Sequence, residues 1–177
     1  MSNTTKNIIE FTLIYNKYKK NIFNFSLRML NNRMVCEDIV QDVFMRLFEN
    51  MDNIRNKNSI QFWLFKTVRN EIYNYFRTKK IRVDQFNVED TDELEAPSEE
   101  KLHDEYESKE LKQLILSELQ KIPFEQSEVF YLKEYGELSY KEIAAVMDIT
   151  EDLVKSRLFK TRQKLIKRLT KILNEQR

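Results

Sequence analysis

Residues that bend or end regular structure are scarce in this sequence, which has one glycine and two prolines among 177 residues. It is rich instead in charged and apolar residues, 33% and 41% respectively. This balance favours helices over the many tight turns of a β-sheet protein. A single glycine also cannot build a glycine-rich phosphate-binding loop. We therefore predict an all-α protein.

Metal-binding and nucleophilic residue types are nearly absent as well. The one histidine, His103, lies in an acidic segment and has no second histidine for a metal site or a catalytic pair. The one cysteine, Cys36, cannot form an internal disulfide, and we interpret it as an ordinary thiol near a helix start, with a redox role left open. We predict no catalytic residues, no metal and no cofactor, and no enzyme activity.

Long apolar runs are missing too. No run approaches the roughly 18 residues of a membrane span. The first twenty residues, MSNTTKNIIEFTLIYNKYKK, interrupt their apolar positions with charge before a signal-peptide core can form. We expect a cytoplasmic protein without stable membrane insertion.

The formal net charge of +1 conceals three unlike segments. Residues 1–83 hold 15 Lys and Arg against 7 Asp and Glu, residues 84–110 hold 2 against 12, and residues 111–177 hold 13 against 10. The segment charges are therefore +8, −10 and +3. Because the acidic segment has few aromatic residues and no apolar period, it cannot form a core. We predict two small helical domains, 1–83 and 107–177, joined by a flexible acidic linker, 84–106.

Three helices are predicted in the first domain. Along the first, which ends near Leu30, apolar residues recur at spacings of three and four and form one continuous stripe. The second is predicted from about Met34 to Asn50 and the third from about Ile60 to Lys79. The apolar side of the second helix comprises Ile39, Val40, Val43, Phe44, Leu47 and Phe48.

The second domain is predicted to end in a helix-turn-helix. Gly136 is expected to stop the helix before it, as the residue best suited to a left-handed C-terminal position. Ser139 and Glu142 form a capping box for the next helix, and Thr150 is placed to cap the last one. Between them the short break MDIT is the length that a helix-turn-helix needs. The shared core is predicted to comprise Ile143, Ala144, Met147, Ile149, Val154, Leu158 and Leu165.

The start of the last helix offers side chains suited to the major groove of DNA. Lys and Arg can bind guanine edges or phosphates, and Ser can bind either. The acids there can stabilise the helix N-terminus or accept from a cytosine amino group. A helical hairpin with merely solvated charges is the alternative. The candidates are Thr150, Glu151, Asp152, Lys155, Ser156, Arg157, Lys160 and Arg162.

Two faces in the first domain are also candidate binding surfaces, although either could be a solvated helix face. On the second helix, acids flank an exposed methionine, a combination suited to a protein partner; the residues are Asp38, Gln41, Asp42, Met45 and Glu49. On the third, cations, amides and an aromatic ring suit single-stranded DNA; the residues are Lys66, Arg69, Asn70, Tyr73, Asn74, Arg77 and Lys80. Trp63 and Phe62 could stack on DNA, but we favour a core position for Trp63.

Several segments resemble bacterial RNA polymerase sigma factors of the extracytoplasmic-function (ECF) group. YKEIA and VKSRLFKTRQKL are similar to the promoter-reading domain of that family. EDIVQDVFMRLFE resembles its polymerase-binding helix, and FWLFKTVRNEIYNYFRTKK its promoter-melting helix. These segments occur in the order of the family and at its usual separation, so the resemblance covers nearly the whole chain apart from the linker.

The resemblance implies an alternative sigma factor that assists promoter melting for transcription initiation. The acidic face of the second helix would bind the clamp of the beta-prime subunit of RNA polymerase core. The third helix would hold the non-template strand of the minus-ten element, and the loop NMDNIRNKNS would receive a flipped base. The second domain would read the minus-thirty-five element and contact the flap of the beta subunit. An anti-sigma factor is also an implied partner.

The sequence departs from the family in three places. Met147 and Asp148 stand where Leu-Gly is usual, but aspartate tolerates a positive φ better than most residues, so the turn is expected to survive. Ser127 replaces a common arginine and Leu153 a common threonine, which bears on the detailed DNA preference.

Two other functions fit the residues alone. One is a helix-turn-helix regulator that acts without polymerase core, and the other is a helical adaptor that binds proteins through both domains. The acidic linker could in addition shield the basic DNA-binding surfaces of the free protein.

Overall fold

A computed structural model describes residues 3–54, 56, 59–79 and 104–175. Within these residues the secondary structure is entirely helical, which confirms the all-α prediction. Seven α-helices are described, together with a 3-10 turn at Met51–Asn53: α1 Asn3–Leu30, α2 Arg33–Glu49, α3 Ile60–Thr78, α4 Asp104–Gln120, α5 Phe124–Glu134, α6 Tyr140–Met147 and α7 Glu151–Glu175. Most of the predicted linker lies outside the described residues, and α4 begins within its last three positions.

The N-terminal unit consists of α1, α2 and α3, which pack on one another. Helix α1 ends where Asn31 adopts a left-handed backbone with φ of 48°, and the Asn32 side chain then caps α2 by accepting from the Val35 amide at 3.1 Å. Asparagine suits both positions because its short amide tolerates positive φ and caps helix starts. The buried side chains of this unit include Ile22, Phe25, Val43, Leu47, Leu64, Val68 and Ile72.

The C-terminal unit consists of α4 to α7, with the long α7 packed against the other three helices. Its predicted helix-turn-helix core is confirmed, since Ile143, Ala144, Met147, Val154, Leu158 and Leu165 are buried and Ile149 is half-buried against them.

The capping predictions around α6 and α7 are also confirmed. Ser139 accepts from the Glu142 amide at 3.2 Å, and Glu142 accepts from the Ser139 amide at 2.7 Å. Asp148 takes up the left-handed turn with φ of 58°, and Thr150 caps α7 by accepting from the Leu153 amide at 3.2 Å. These residues fix the angle at which the two helices meet.

The prediction for Gly136 is wrong. The left-handed residue after α5 is Glu137, with φ of 57°, and Gly136 does not have a positive φ. A Cβ atom on Gly136 would lie 2.7 Å from the Leu132 carbonyl oxygen and 3.0 Å from the Phe65 ring. Glycine is therefore required here by close packing, part of it against α3 of the other unit.

The two units contact each other through α1 with α5 and through α3 with α6. Asn21 donates to a Glu137 carboxylate oxygen at 3.1 Å, and the Arg28 guanidinium lies over the Tyr135 ring at 5.0 Å. The face of α3 that carries the basic stripe is thereby brought against the C-terminal unit.

Candidate functional site

The acidic face of α2 is exposed as predicted from its helical spacing. None of its five residues packs into the core: Asp38, Gln41, Asp42, Met45 and Glu49. Arg46, next to this face, donates to Asp42 at 3.1 Å and to Glu71 of α3 at 2.6 Å. Hydrogen bonding and charge from Glu71, and secondarily from Asp42, raise the pKa of Arg46. The Arg46–Glu71 ion pair therefore links α2, which carries this face, to α3.

Phe48, on the predicted apolar side of α2, is 44% exposed beside this face. Helix α2 buries Cys36, Val40, Val43, Phe44 and Leu47, and Phe48 falls at the edge of that stripe. Its ring meets Phe11 edge to face at 5.1 Å. The surface around Met45 is therefore more apolar than the sequence pattern indicates.

The basic stripe of α3 divides into two parts. Asn70, Asn74 and Arg77 are exposed, with Arg77 donating to the Asn74 side chain at 3.0 Å. Lys80, the last predicted member, lies outside the described residues, as does part of the loop NMDNIRNKNS. This outer part presents amides and a cation to solvent.

The inner part of the stripe faces the C-terminal unit. Arg69 donates to both carboxylate oxygens of Glu128, at 2.6 and 3.2 Å, and Tyr73 donates to Glu128 at 2.9 Å. Lys66 donates to the Val146 carbonyl near the end of α6 at 3.0 Å. These three side chains are half-buried in intramolecular contacts rather than open to solvent.

The electrostatics of this cluster follow from its burial. Burial acts to lower the pKa of Arg69, but hydrogen bonding and charge from Glu128 outweigh it and raise the pKa. Burial, followed by the Glu128 charge, raises the pKa of the Tyr73 phenol. Both groups are therefore held as proton donors to Glu128 at neutral pH.

Sequence reasoning missed Glu128, which is fully buried. A usable signal exists, because Glu128 precedes Tyr131 and Leu132 by three and four residues, the helical spacing of buried positions on α5. An acid in an apolar stripe requires a cationic partner. Nothing in the local sequence indicates that this partner is Arg69, 59 residues earlier.

The start of α7 carries the predicted duplex-reading residues, and most of them are exposed. Thr150, Glu151, Asp152, Lys155 and Lys160 are open to solvent, whereas Ser156 is half-buried. Lys155 and Asp152 lie 3.4 Å apart in a surface ion pair. The exposed lysines leave cations available at the helix start.

The two predicted arginines on α7 hold α5 in place. Arg157 donates to Glu125 at 2.6 Å and Arg162 to Glu134 at 3.0 Å. The hydrogen bond that Arg162 donates to Glu134 is the main cause of the raised pKa of Arg162. The Arg157 side chain is only 18% exposed, so it is more a helix-packing residue than an open DNA contact.

The aromatic residues at the start of α3 divide as their positions predict. Trp63 is half-buried against the core, whereas Phe62 is 44% exposed.

Among the described residues, no group of His, Cys, Asp and Glu side chains could hold a metal ion. None of the described helices combines the length and apolar character needed to cross a bilayer.

Two family models match the chain at the two units just described. Residues 14–81 match the model of Sigma-70 region 2, which covers most of α1 to α3. Residues 112–165 match Sigma-70, region 4, which spans α5, α6 and much of α4 and α7. The acidic and basic faces thus lie within the first match and the helix-turn-helix within the second.

Relatives of known family align along most of the chain. The ECF RNA polymerase sigma factor SigM of Bacillus subtilis is 28% identical over 152 residues, 86% of this chain and 90% of the relative. The ECF RNA polymerase sigma-E factor of Escherichia coli is 27% identical over 164 residues, 86% of this chain and 83% of the relative. The similarity therefore joins both units in one alignment.

Two solved structures share the fold. The sigma factor RpoE of Bartonella quintana, solved with the anti-sigma factor NepR, has a TM-score of 0.70 at 21% identity, covering 91% of this chain and 97% of that one. CnrH, solved with the cytosolic domain of CnrY, has a TM-score of 0.67 at 20% identity, covering 94% and 92%. The two matches to sigma-70 family models, rather than this likeness of fold, do not favour a regulator that acts without polymerase or a helical adaptor.

Proposed function

This chain belongs to the extracytoplasmic-function group of RNA polymerase sigma factors, and from that premise we propose which of its surfaces carries out each step of initiation. It is an alternative sigma factor for transcription initiation. The observation that supports the proposal best is the pair of matches to sigma-70 regions 2 and 4, in that order, on the two units that carry the predicted surfaces.

The first surface is the exposed face of α2 from Asp38 to Glu49, which binds the clamp of the polymerase core. Its acids surround Met45 and border the exposed Phe48. A flexible methionine and an aromatic ring provide contact area, while the surrounding charges orient the partner. The Arg46–Glu71 ion pair fixes this face relative to α3, which carries the DNA surface.

The second surface is the basic stripe of α3, which holds the non-template strand of the minus-ten element. Cations bind phosphates, amides bind base edges and Tyr73 stacks on an unpaired base. These contacts are satisfied better by separated strands than by duplex DNA. Binding therefore shifts the equilibrium toward melting, and no covalent step is needed.

The third surface is the start of α7, which reads the minus-thirty-five element in the major groove. Lys155 and Lys160 are exposed cations there, and Asp148 and Thr150 set the angle between α6 and α7. Consistent with a two-domain clamp, residues 1–83 and 107–177 bind the two promoter elements separately. The C-terminal domain also contacts the flap of the beta subunit.

An anti-sigma factor is a further proposed partner, because both structural neighbours were solved with one or with a cytosolic partner domain. The site of action is the cytoplasm, where core polymerase and promoter DNA are found. As a sigma factor, the chain contributes binding and positioning rather than catalysis.

The test is transcription in vitro with purified core polymerase and a library of promoter sequences. The expected result is initiation at a defined subset of promoters only when both the chain and core are present. Tight, sequence-specific duplex binding without core, and no core-dependent initiation, would contradict the proposal.

A matched pair of variants tests the polymerase-binding face. Asp38→Lys reverses one charge on this face, and core affinity is expected to fall about tenfold or more. Glu37→Lys is the control, because Glu37 is exposed on the same helix about 100° around its axis from Asp38. Circular dichroism checks that both variants fold. Equal core binding by both variants would rule out this face.

A further inference from the structure

Some α3 side chains that are proposed to bind DNA are the same ones that contact the C-terminal unit in the structure. Lys66, Arg69 and Tyr73 belong to the basic stripe, yet in the structure each donates a hydrogen bond to the C-terminal unit. Asn70, Asn74 and Arg77 remain exposed on the same helix. Half of the described stripe is therefore covered when the two units are in contact.

Glu128 is the centre of this contact. It is fully buried and accepts three hydrogen bonds from α3, two from Arg69 and one from Tyr73. Other acids of α5 pair within their own unit, Glu125 with Arg157 and Glu134 with Arg162. Glu128 is thus an α5 acid whose ion pair crosses between the units.

A polar contact of this kind can open reversibly. A buried carboxylate and guanidinium stabilise each other, but both regain water when the units separate, so closing gains much less than the attraction itself. DNA phosphate is then a direct competitor of Glu128 for Arg69. A closed state held in this way can yield to promoter DNA.

Neighbouring contacts reinforce the closed state. The Phe124 ring of α5 meets the Tyr73 and Phe76 rings edge to face, at 5.8 and 6.0 Å. Lys66 donates to the Val146 carbonyl, one residue before the end of α6, where the helix dipole favours a cation. Phe65 packs against Gly136 at a distance that leaves no room for a side chain.

We propose that the free protein is self-masked: α5 and α6 cover the inner half of the minus-ten surface on α3, and the Glu128 carboxylate acts as the latch. The latch rests on the proposed promoter function of α3. It differs from shielding by the acidic linker, since the groups that cover the surface belong to the folded C-terminal unit.

The test compares two variants that remove one negative charge each from the same helix. Glu128→Gln weakens the latch, and Glu125→Gln is its control, because Glu125 pairs with Arg157 in its own unit. Dyes on Met34→Cys and Lys167→Cys, both at exposed positions, report the distance between the units. Binding of a single-stranded minus-ten oligonucleotide at low salt reports access to α3.

The expected result is a longer inter-dye distance and tighter oligonucleotide binding for Glu128→Gln than for Glu125→Gln. If about a tenth of the parent protein is open, the gain in affinity is limited to about tenfold. Equal distances and equal affinities for the two variants would overturn the latch. If Glu128→Gln fails to fold, Tyr73→Phe replaces it, because this variant loses only the hydroxyl that donates to Glu128. The inter-dye distance must then be longer in Tyr73→Phe than in the parent, or the latch is rejected.

Transcription with core polymerase separates this proposal from the proposed function. If the parent initiates transcription with core but the inter-dye distance does not lengthen in Glu128→Gln, the latch is rejected and the sigma function stands. If the inter-dye distance lengthens in Glu128→Gln but the parent does not initiate transcription with core, the sigma function is rejected. The contact between the two units through Glu128 then still stands.

Discussion

Cys36 illustrates how strongly burial controls a single side chain. Its thiol is fully buried in α2 and donates to the Phe23 carbonyl at 3.6 Å. Burial, followed by the nearby charge of Glu37, raises its pKa to about 12. Because the thiolate is the nucleophile, the thiol is expected to be inert near neutral pH, so a redox role is not favoured.

The prediction for Cys36 is slow reaction with a thiol reagent at pH 8, about a thousandfold slower than an ordinary exposed cysteine. Met34→Cys, two residues away and 72% exposed in the parent, provides the comparison in a variant that also carries Cys36. Unfolding in urea should make the two thiols react alike. Similar rates for the two thiols in the folded protein would contradict the assigned burial.

The pH dependence of stability follows with a definite sign. A thiol pKa raised in the folded state means that the unfolded chain releases its proton first. The contribution of Cys36 is therefore complete below about pH 9 and is lost as pH rises toward 12. The stability difference between the parent and Cys36→Ala, measured by urea unfolding, should shrink between pH 8 and pH 10.

Among the secondary-structure elements, the α5–α6 connection is the one most sensitive to a single methyl group. Gly136→Ala would bring a Cβ atom within 2.7 Å of a backbone oxygen, so the backbone must shift. We expect a loss of about 1–3 kcal/mol in the free energy of unfolding, as in other overpacked sites. Thermal unfolding measures it.

Glu137→Gly is the matched comparison for that variant. Glu137 already has a φ of 57°, a conformation that glycine adopts without a Cβ penalty, and its side chain is exposed. Glu137→Gly should therefore reduce the free energy of unfolding far less than Gly136→Ala does. The reverse order of stability would mean that Gly136, not Glu137, supplies the left-handed turn.

The helices and their ends could be predicted because their causes are local. The capping box of Ser139 and Glu142, the left-handed Asp148 and the cap at Thr150 each depend on neighbours within about four residues. The predicted role of Gly136 is wrong because the constraint on this residue comes partly from Phe65, which the local pattern does not reveal. Phe48 remains partly exposed because it lies at the edge of the apolar stripe, where spacing alone does not decide burial.

At the scale of the whole molecule, the candidate surfaces could be predicted only in part. The exposed acidic face of α2 follows from helical periodicity, since none of the other described helices covers it. Which basic residues of α3 remain open depends on a pairing between residues 69 and 128, far apart in sequence. Such a pairing has no local pattern, although a buried acid on α5 indicates that a partner exists.

The closed arrangement predicts that two arginines of α3 behave differently. Arg77→Ala removes an exposed cation and should weaken single-strand binding equally in the free protein and in the complex with core. Arg69→Ala loses a phosphate contact but also releases Glu128, so its net loss in the free protein should be smaller. Oligonucleotide titrations with and without core measure both.

Salt dependence provides the internal check for this comparison. Each lost phosphate contact should reduce the slope of log affinity against log salt by about 0.7 for a single strand. If both variants change affinity and slope identically in the free protein, Arg69 is already exposed and the units are not closed on each other.

The Arg69–Glu128 pair also limits how the protein can be recombined. Its two members lie in separate units, so a chimera that joins α1–α3 of this chain to the C-terminal half of another sigma factor inherits Arg69 without its acid. Unless the donor has a carboxylate at the matching position of its α5, the chimera would lack this contact and bind single-stranded DNA more readily without core polymerase. Interchangeable parts for synthetic gene circuits would therefore have to be exchanged with this pair intact.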